Sequence, residues 1–303
     1  LLKALEARLL DQGARCFYFS LSGPELLPRL SLALGLASES TLGDIANTLR
    51  DGDGITWALV DEADGFIQTE KDAGYVTLNQ MRSLSEEGLC VFVLAGFWSL
   101  YQHSVLDYQS PLKNFGETLE IGALEDDASM ELVTQPMETL RLGYANPQLP
   151  KEIIEQTGQR ANLLGITCHE IVSALPADQR EITAAQVHSA LHSEKVQNAL
   201  KGWDAATDKP MANAIDRMVV NATVAGNQFT AADLRQRLQA LDVLLDTAAL
   251  DQSLERLTLG FVLGRAEDGS YFYRVPLFRE FMLRDDVEQR LNAEVAAWKR
   301  SQD

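Results

Sequence analysis

Positive charge is scarce in this chain. Its 303 residues carry 26 Lys and Arg against 44 Asp and Glu, a formal net charge of -18. An acidic chain repels nucleic acid and anionic membranes at long range, which disfavours a broad nucleic-acid footprint. Long apolar runs are missing too: no stretch approaches the roughly 20 residues of a membrane span, and no signal peptide is visible. Cysteine is limited to Cys16, Cys90 and Cys168, far apart in apolar or helical stretches. That pattern suits buried, reduced thiols better than a disulfide framework or a metal site, and it implies a cytoplasmic setting. The four histidines are scattered. His169 with Glu170, and His188 with His192 at i, i+4, read as solvated helix faces, because no third metal ligand accompanies either pair.

The composition that remains is globular, 46% hydrophobic and 23% charged, with a length that suggests about two domains. The chain opens with "LLKALEARLLDQG", apolar at helical spacing and stopped at Gly13, with no initiating Met and no visible cap. A segment upstream of Leu1 is the expectation. Short apolar runs follow, "ARCFYFSL", "ITWALV" and "LCVFVLAG", alternating with helical stretches. Near-continuous apolar strands between helices imply a parallel sheet covered on both faces, a doubly wound α/β core to about residue 123. "GETLEIGAL" reads as one more strand. From residue 124 to 204 the pattern is helical. From 205 to 303 it gives three helices, a hairpin around "EDGS" and a closing helix with Pro276 in its first turn, the order of a winged helix. Tyr271, Tyr273 and Phe278 fit the core of that unit better than a base-stacking surface.

The chemically informative stretch is "ITWALVDEADGF". Asp61 and Glu62 fall at the carboxyl end of a buried strand, where open α/β sheets bind ligands. Burying carboxylates costs several kcal/mol unless something positive compensates. A solvated loop start is the bland alternative. The sharper one is a metal site, in which one carboxylate holds Mg²⁺ and the next orients a water toward a phosphate.

This stretch resembles the Walker B strand of AAA+-related ATPases, in particular the signal-transduction (STAND) NTPases. "LCVFVLAG" sits where that group has sensor 1. "PLKNFGETLEIGALEDDASMELVTQPM" resembles its last core strand and helical lid, and "EQTGQRANLLGITCHEIVSAL" a lid segment that departs from the usual Gly-Pro near Gln159 and Ala161. The resemblance covers roughly residues 1 to 285. It implies an AAA+-like core, a helical lid and a C-terminal winged helix, with ATP and Mg²⁺ as cofactors. Asp61 would be the Mg²⁺ ligand, Glu62 the water-orienting base and Arg160 a nucleotide-contacting sensor 2 arginine, or else a solvent-facing residue at a helix start. The implied function is an ATP-dependent switch module of a larger signalling or regulatory protein, with ATP or ADP, partner domains or subunits and a nucleotide-dependent homo-oligomer as the company it keeps. No GxxxxGK[ST] occurs in the 303 residues. The family order puts that loop and the first strand just before Leu1, and the strand between those near Leu89–Leu94 and Glu117–Ile121. Two other readings stay open: a nucleotide-incompetent interaction scaffold, and a DNA-binding regulator. A DEAD-box helicase reading has only the letters "DEAD" in its favour. Duplex DNA is not an expected partner, because residues 207–285 hold nine Lys and Arg against eleven Asp and Glu.

Overall fold

Period-two alternation sends Phe17 and Phe19 to one face of a strand and Cys16 and Tyr18 to the other. That alternation organises the first of two compact units, Leu1–Glu120 and Ile121–Asp303. The structure is a computed structural model and describes residues 1–21, 25–205, 207 and 209–301. The first unit runs α1 (Leu2–Asp11), β1 (Arg15–Ser20), α2 (Leu26–Ala33), α3 (Leu42–Arg50), β2 (Thr56–Asp61), α4 (Ala63–Asp72), α5 (Val76–Glu86), β3 (Cys90–Leu94) and α6 (Trp98–Tyr101). A π turn at Gln102–Leu106 and a 3₁₀ turn at Pro111–Asn114 close it.

The strands form one parallel sheet in the order β1-β2-β3, with Phe19 opposite Val60 and Ala58 opposite Phe92. Phe19, Ala58 and Val60 pack with residues of α2 to α5, among them Leu30, Ile45, Phe66 and Met81. Cys16 and Leu59 on the other face pack with Leu9 of α1. Fully burying a side chain such as Phe66 or Ile67, both at 0% exposure, stabilises by about 1.5–3 kcal/mol. At the start of α3, Thr41 accepts from the Asp44 amide at 3.2 Å and Asp44 returns the bond to the Thr41 amide at 2.9 Å, a reciprocal cap. Helices therefore cover both faces, as expected. The reversal of strand order that defines a doubly wound sheet is not present among the three strands, which step in one direction.

Residues 117–121, read from sequence as a strand, join no ladder among the described residues. Leu119 and Ile121 are 75% and 69% exposed. The physical reason lies at β3, which among the described residues pairs with β2 alone. An extended segment needs a neighbour's N–H and C=O groups to become a strand. The helix α4 was not anticipated either; it follows the Asp-Glu pair directly.

The second unit is mostly helical. It comprises α7 (Asp126–Thr139), β4 (Gly143–Tyr144), α8 (Gln148–Gln156), α9 (Ala161–Ala174), β5 (Glu181–Ile182), α10 (Ala184–Leu191) and α11 (Glu194–Leu200). It continues with α12 (Pro210–Thr223), β6 (Gln228–Phe229), α13 (Ala231–Gln239), α14 (Thr247–Leu259), β7 (Leu263–Arg265), β8 (Tyr271–Tyr273), α15 (Pro276–Leu283) and α16 (Val287–Arg300). β6, β8 and β7 make a small antiparallel sheet in that order. Tyr273 is buried, donates to the Val220 carbonyl at 3.1 Å and lies 2.7 Å from the Thr223 hydroxyl. The closing segment is two helices rather than one. The Asp286 carboxylate accepts from the Gln289 amide at 3.0 Å and starts α16 afresh.

The α12–α14 contact is built on a buried ion pair. Arg256 donates to both oxygens of Asp216, at 3.0 and 2.7 Å, and Ser253 donates to the same carboxylate at 2.5 Å. Asp216 and Arg256 are 0% and 2% exposed.

Candidate functional site

Asp61 is the last residue of β2 and half-buried; Glu62 follows it and is exposed. Asp61 shares its face of the sheet with Leu59, the face that α1 covers. Its Oδ2 accepts from the Tyr18 hydroxyl of β1 at 2.7 Å, and its Oδ1 from the Glu62 amide at 3.1 Å. The bond to Asp61 is the main reason the Tyr18 phenol is held above its usual pKa. The Lys3 ammonium of α1 stands 3.4 Å from the centre of the Tyr18 ring. The first turn of α1 thus reaches, through Tyr18, the carboxyl end of the strand that carries Asp61.

Glu62 adopts φ 56, ψ 40, the left-handed region, which costs a non-glycine residue of order 1 kcal/mol and tends to mark functional turns. The surroundings hold it there. The Ala63 amide donates to the Ala95 carbonyl at 2.9 Å, and the Ala95 amide to the Val60 carbonyl at 2.7 Å. Asp64 then turns its carboxylate to the segment after β3. It accepts from the backbone amides of Phe97, Ser99 and Leu100 at 2.5, 2.7 and 3.2 Å. A Cβ on Gly96 would stand 2.7 Å from Asp64 Oδ2, so Gly96 is what lets the two segments approach. The three acidic residues of "DEAD" are therefore differently placed: Asp61 is tied to β1, Asp64 to the segment after β3, and Glu62 is left facing solvent.

Tyr18 and Asp64 were not singled out from sequence. An acidic residue at the second position of a helix that directly follows a strand was the available signal for Asp64. For Tyr18 it was a polar tip at the carboxyl end of an otherwise apolar strand.

Arg160 belongs to the second unit. It precedes α9, donates to the Gly260 carbonyl at 3.0 Å and lies over the rings of Trp203 and Phe261, at 4.8 and 5.7 Å. Burial pulls its guanidinium below the usual arginine pKa. It is not the solvent-facing residue that the sequence left as an alternative. Gln159 beside it takes φ 59, donates through its side chain to Asp126 and accepts from the Leu124 amide at 3.0 Å.

The other candidates from sequence are accounted for locally. His192 Nε2 lies 3.0 Å from Glu280 Oε1, and the His188 and His192 rings are 4.3 Å apart. Among the described residues no three His, Cys, Asp or Glu side chains gather as a metal site. Cys16, Cys90 and Cys168 are free and buried. No helix among the described residues is long and apolar enough to cross a membrane.

No family model and no curated protein matches the chain. Solved structures do. A Walker-type ATPase of Pyrococcus abyssi, PABY2304, superposes with a TM-score of 0.63 at 14% identity, over 93% of this chain and 87% of that one. The ORC2 protein of Aeropyrum pernix, in ADPNP–ADP complexes, superposes with a TM-score of 0.55 at 16% identity, over 99% of this chain and 82% of that one. The fold is similar to that of this Walker-type ATPase and of ORC2. At such identities the likeness concerns the fold alone, and the chemistry rests on the residues above.

Proposed function

We propose that this chain is the nucleotide-dependent switch module of a larger STAND-type protein, built as an AAA+ core, a helical lid and a winged helix. The observation that carries the proposal is the Asp61–Glu62 pair. An AAA+-related fold presents it at the carboxyl end of β2, with Glu62 exposed in a left-handed turn between strand and helix. The matching partners are ATP and ADP, in a cytoplasmic setting, together with partner domains or further copies of the chain.

The donor set fits Mg²⁺ in the manner of nucleotide sites, where one or two carboxylates share the ion with phosphate oxygens and water. Asp61 would hold it, in a geometry already oriented by Tyr18. The ion, when bound, neutralises charge that develops on the transferred phosphate. Glu62 would orient the attacking water and accept its proton. Arg160 commits Nη1 to the Gly260 carbonyl, so as a nucleotide sensor it would use its remaining N–H donors. The reading needs a phosphate cradle of the Gly-Lys-Ser/Thr kind, a motif that does not occur in the 303 residues.

The test is Glu62→Gln in the full polypeptide. ATP binding should persist while hydrolysis slows by about 10²–10⁴, the usual contribution of a positioned base. Wild-type hydrolysis by the variant would refute the assignment of Glu62. A second reading, an interaction scaffold without nucleotide chemistry, is favoured by the Tyr18 hydroxyl already seated on Asp61 Oδ2. It predicts no Mg²⁺-dependent ATP binding by the full polypeptide.

A further inference from the structure

His188 and His192 stand one turn apart at the end of α10, with His192 at the helix C-cap. Their rings are 4.3 Å apart. His192 also reaches a distant helix of the second unit. Its Nδ1 lies 2.8 Å from the His188 carbonyl oxygen, and its Nε2 lies 3.0 and 3.2 Å from the two carboxylate oxygens of Glu280 on α15. A carbonyl and an ionised carboxylate only accept hydrogen bonds. Both ring nitrogens are therefore called on to donate, and a neutral imidazole has a single N–H. The arrangement suits the imidazolium.

The position of His192 points the same way. The last turn of a helix leaves carbonyls without intrahelical donors and favours a cation beside them. α10 contains no Lys or Arg, and His192 bonds one of those carbonyls itself. The charges nearby are divided. Glu280 favours the proton; His188, when protonated, opposes it, and Arg284 competes for Glu280 at 3.4 Å. On α11, Lys195 is bound to Glu170 of α9 at 2.7 Å, and Glu194 is exposed. His169 of α9 lies 3.3 Å from the Ser173 hydroxyl. The exposed Lys151, Glu152 and Glu155 of α8 form no ion pair with His192 or Glu280. The Gln197 side chain donates to the His192 carbonyl at 2.7 Å and holds the turn into α11 in place. One proton on His192 thus decides whether that turn is tied to α15.

We propose that His192 and Glu280 form an acid-closed clasp between the α10–α11 turn and α15. A proton on Nε2 closes it; without that proton a lone pair faces the carboxylate and the tie is lost. The clasp is independent of the nucleotide chemistry proposed for Asp61 and Glu62. It needs an ionised glutamate and a protonated histidine together, which ordinary side chains provide between about pH 4.5 and 6.5. Its contribution to stability is therefore present at the acid end and is lost as pH rises through the range in which histidine titrates.

The experiment is an NMR titration of the His192 ring in the whole chain, with EDTA present so that no metal ion replaces the proton, and with His192→Gln to assign the resonances. At about pH 5.5 both ring nitrogens should carry protons. Glu280→Gln should lower the ring's proton affinity about two- to fivefold, the range expected of a partly exposed ion pair. Urea unfolding gives the second readout: the unfolding constant of His192→Gln should exceed that of the wild type about two- to fivefold at about pH 5.5 and match it at about pH 8. A neutral ring at the acid pH, an unchanged titration in Glu280→Gln, or a stability gap that is the same at both pH values would each overturn the proposal and leave the contact as packing.

Discussion

Asp64→Ala tests how the Asp-Glu turn is held to the rest of the first unit. The substitution removes one carboxylate and releases three backbone amides, those of Phe97, Ser99 and Leu100. Hydrogen bonds to a charged acceptor contribute about 1.5–3 kcal/mol, but water can replace part of this at a half-exposed position, so a net loss of about 2 kcal/mol is expected. That corresponds to roughly thirtyfold in the local opening equilibrium. The assay is amide hydrogen exchange, residue by residue. The three amides should exchange about thirtyfold faster, while those of α3 and α5 keep their rates. Asp64→Asn retains one acceptor oxygen and should show a smaller effect. Two results would refute the reasoning: unchanged exchange at Phe97, Ser99 and Leu100, or uniform acceleration across the unit, which would mean that Asp64 serves global stability rather than this segment.

In the second unit, Arg256→Met should destabilise by about 3–5 kcal/mol because it strands a buried carboxylate, and adding Asp216→Leu should recover part of the loss; urea unfolding of the single and double variants checks both. Burial pushes the Cys90 thiol up to about 12 and the Cys168 thiol to about 11. Both raised values favour the neutral thiol, so their stability contribution is intact below the unfolded value near 9 and is lost as pH rises toward 11–12; at pH 8 the folded chain should resist alkylation, with labelling appearing only on unfolding. The unit should also fail to bind duplex DNA, since the arginine of α14 is consumed by Asp216 and residues 207–285 carry a net charge of -2. Micromolar binding of the whole chain to labelled duplex at about 50 mM salt, with a steep salt slope, would contradict this.

Where chemistry follows from a run of residue types, the sequence was legible. β2 and the placement of Asp61 and Glu62 follow from an apolar strand ending in carboxylates. Helix α1 follows from Leu2, Leu5 and Leu9 at helical spacing, and the buried thiols from their apolar neighbours. Outcomes decided by a partner elsewhere in the chain were not legible. Residues 117–121 have the composition of a strand, but composition supplies no neighbour to pair with. Arg256 reads as a surface arginine until Asp216, forty residues earlier, is brought beside it. The break between α15 and α16 was available locally, since "LRDDVEQ" holds an aspartate cap, but the continuous apolar periodicity on either side masked it. Gln159 holds a left-handed backbone, a conformation that favours glycine and that its residue type does not announce.

The edge of β3 that no strand among the described residues occupies has a thermodynamic meaning of its own. Cys90-Val91-Phe92-Val93-Leu94 contains no proline, no charge and no bulge to discourage pairing, and such an edge is a template for any extended chain that reaches it. Whatever strand docks there binds the folded unit and not the unfolded one. Its affinity is then drawn directly into the unit's unfolding free energy, growing with its concentration, or with its effective concentration if it is tethered. The stability of the first unit would then be a property shared with any strand that occupies the edge. If copies of the chain pair along this edge, the midpoint rises with protein concentration, and dilution to low micromolar should lower it toward the value of the isolated unit.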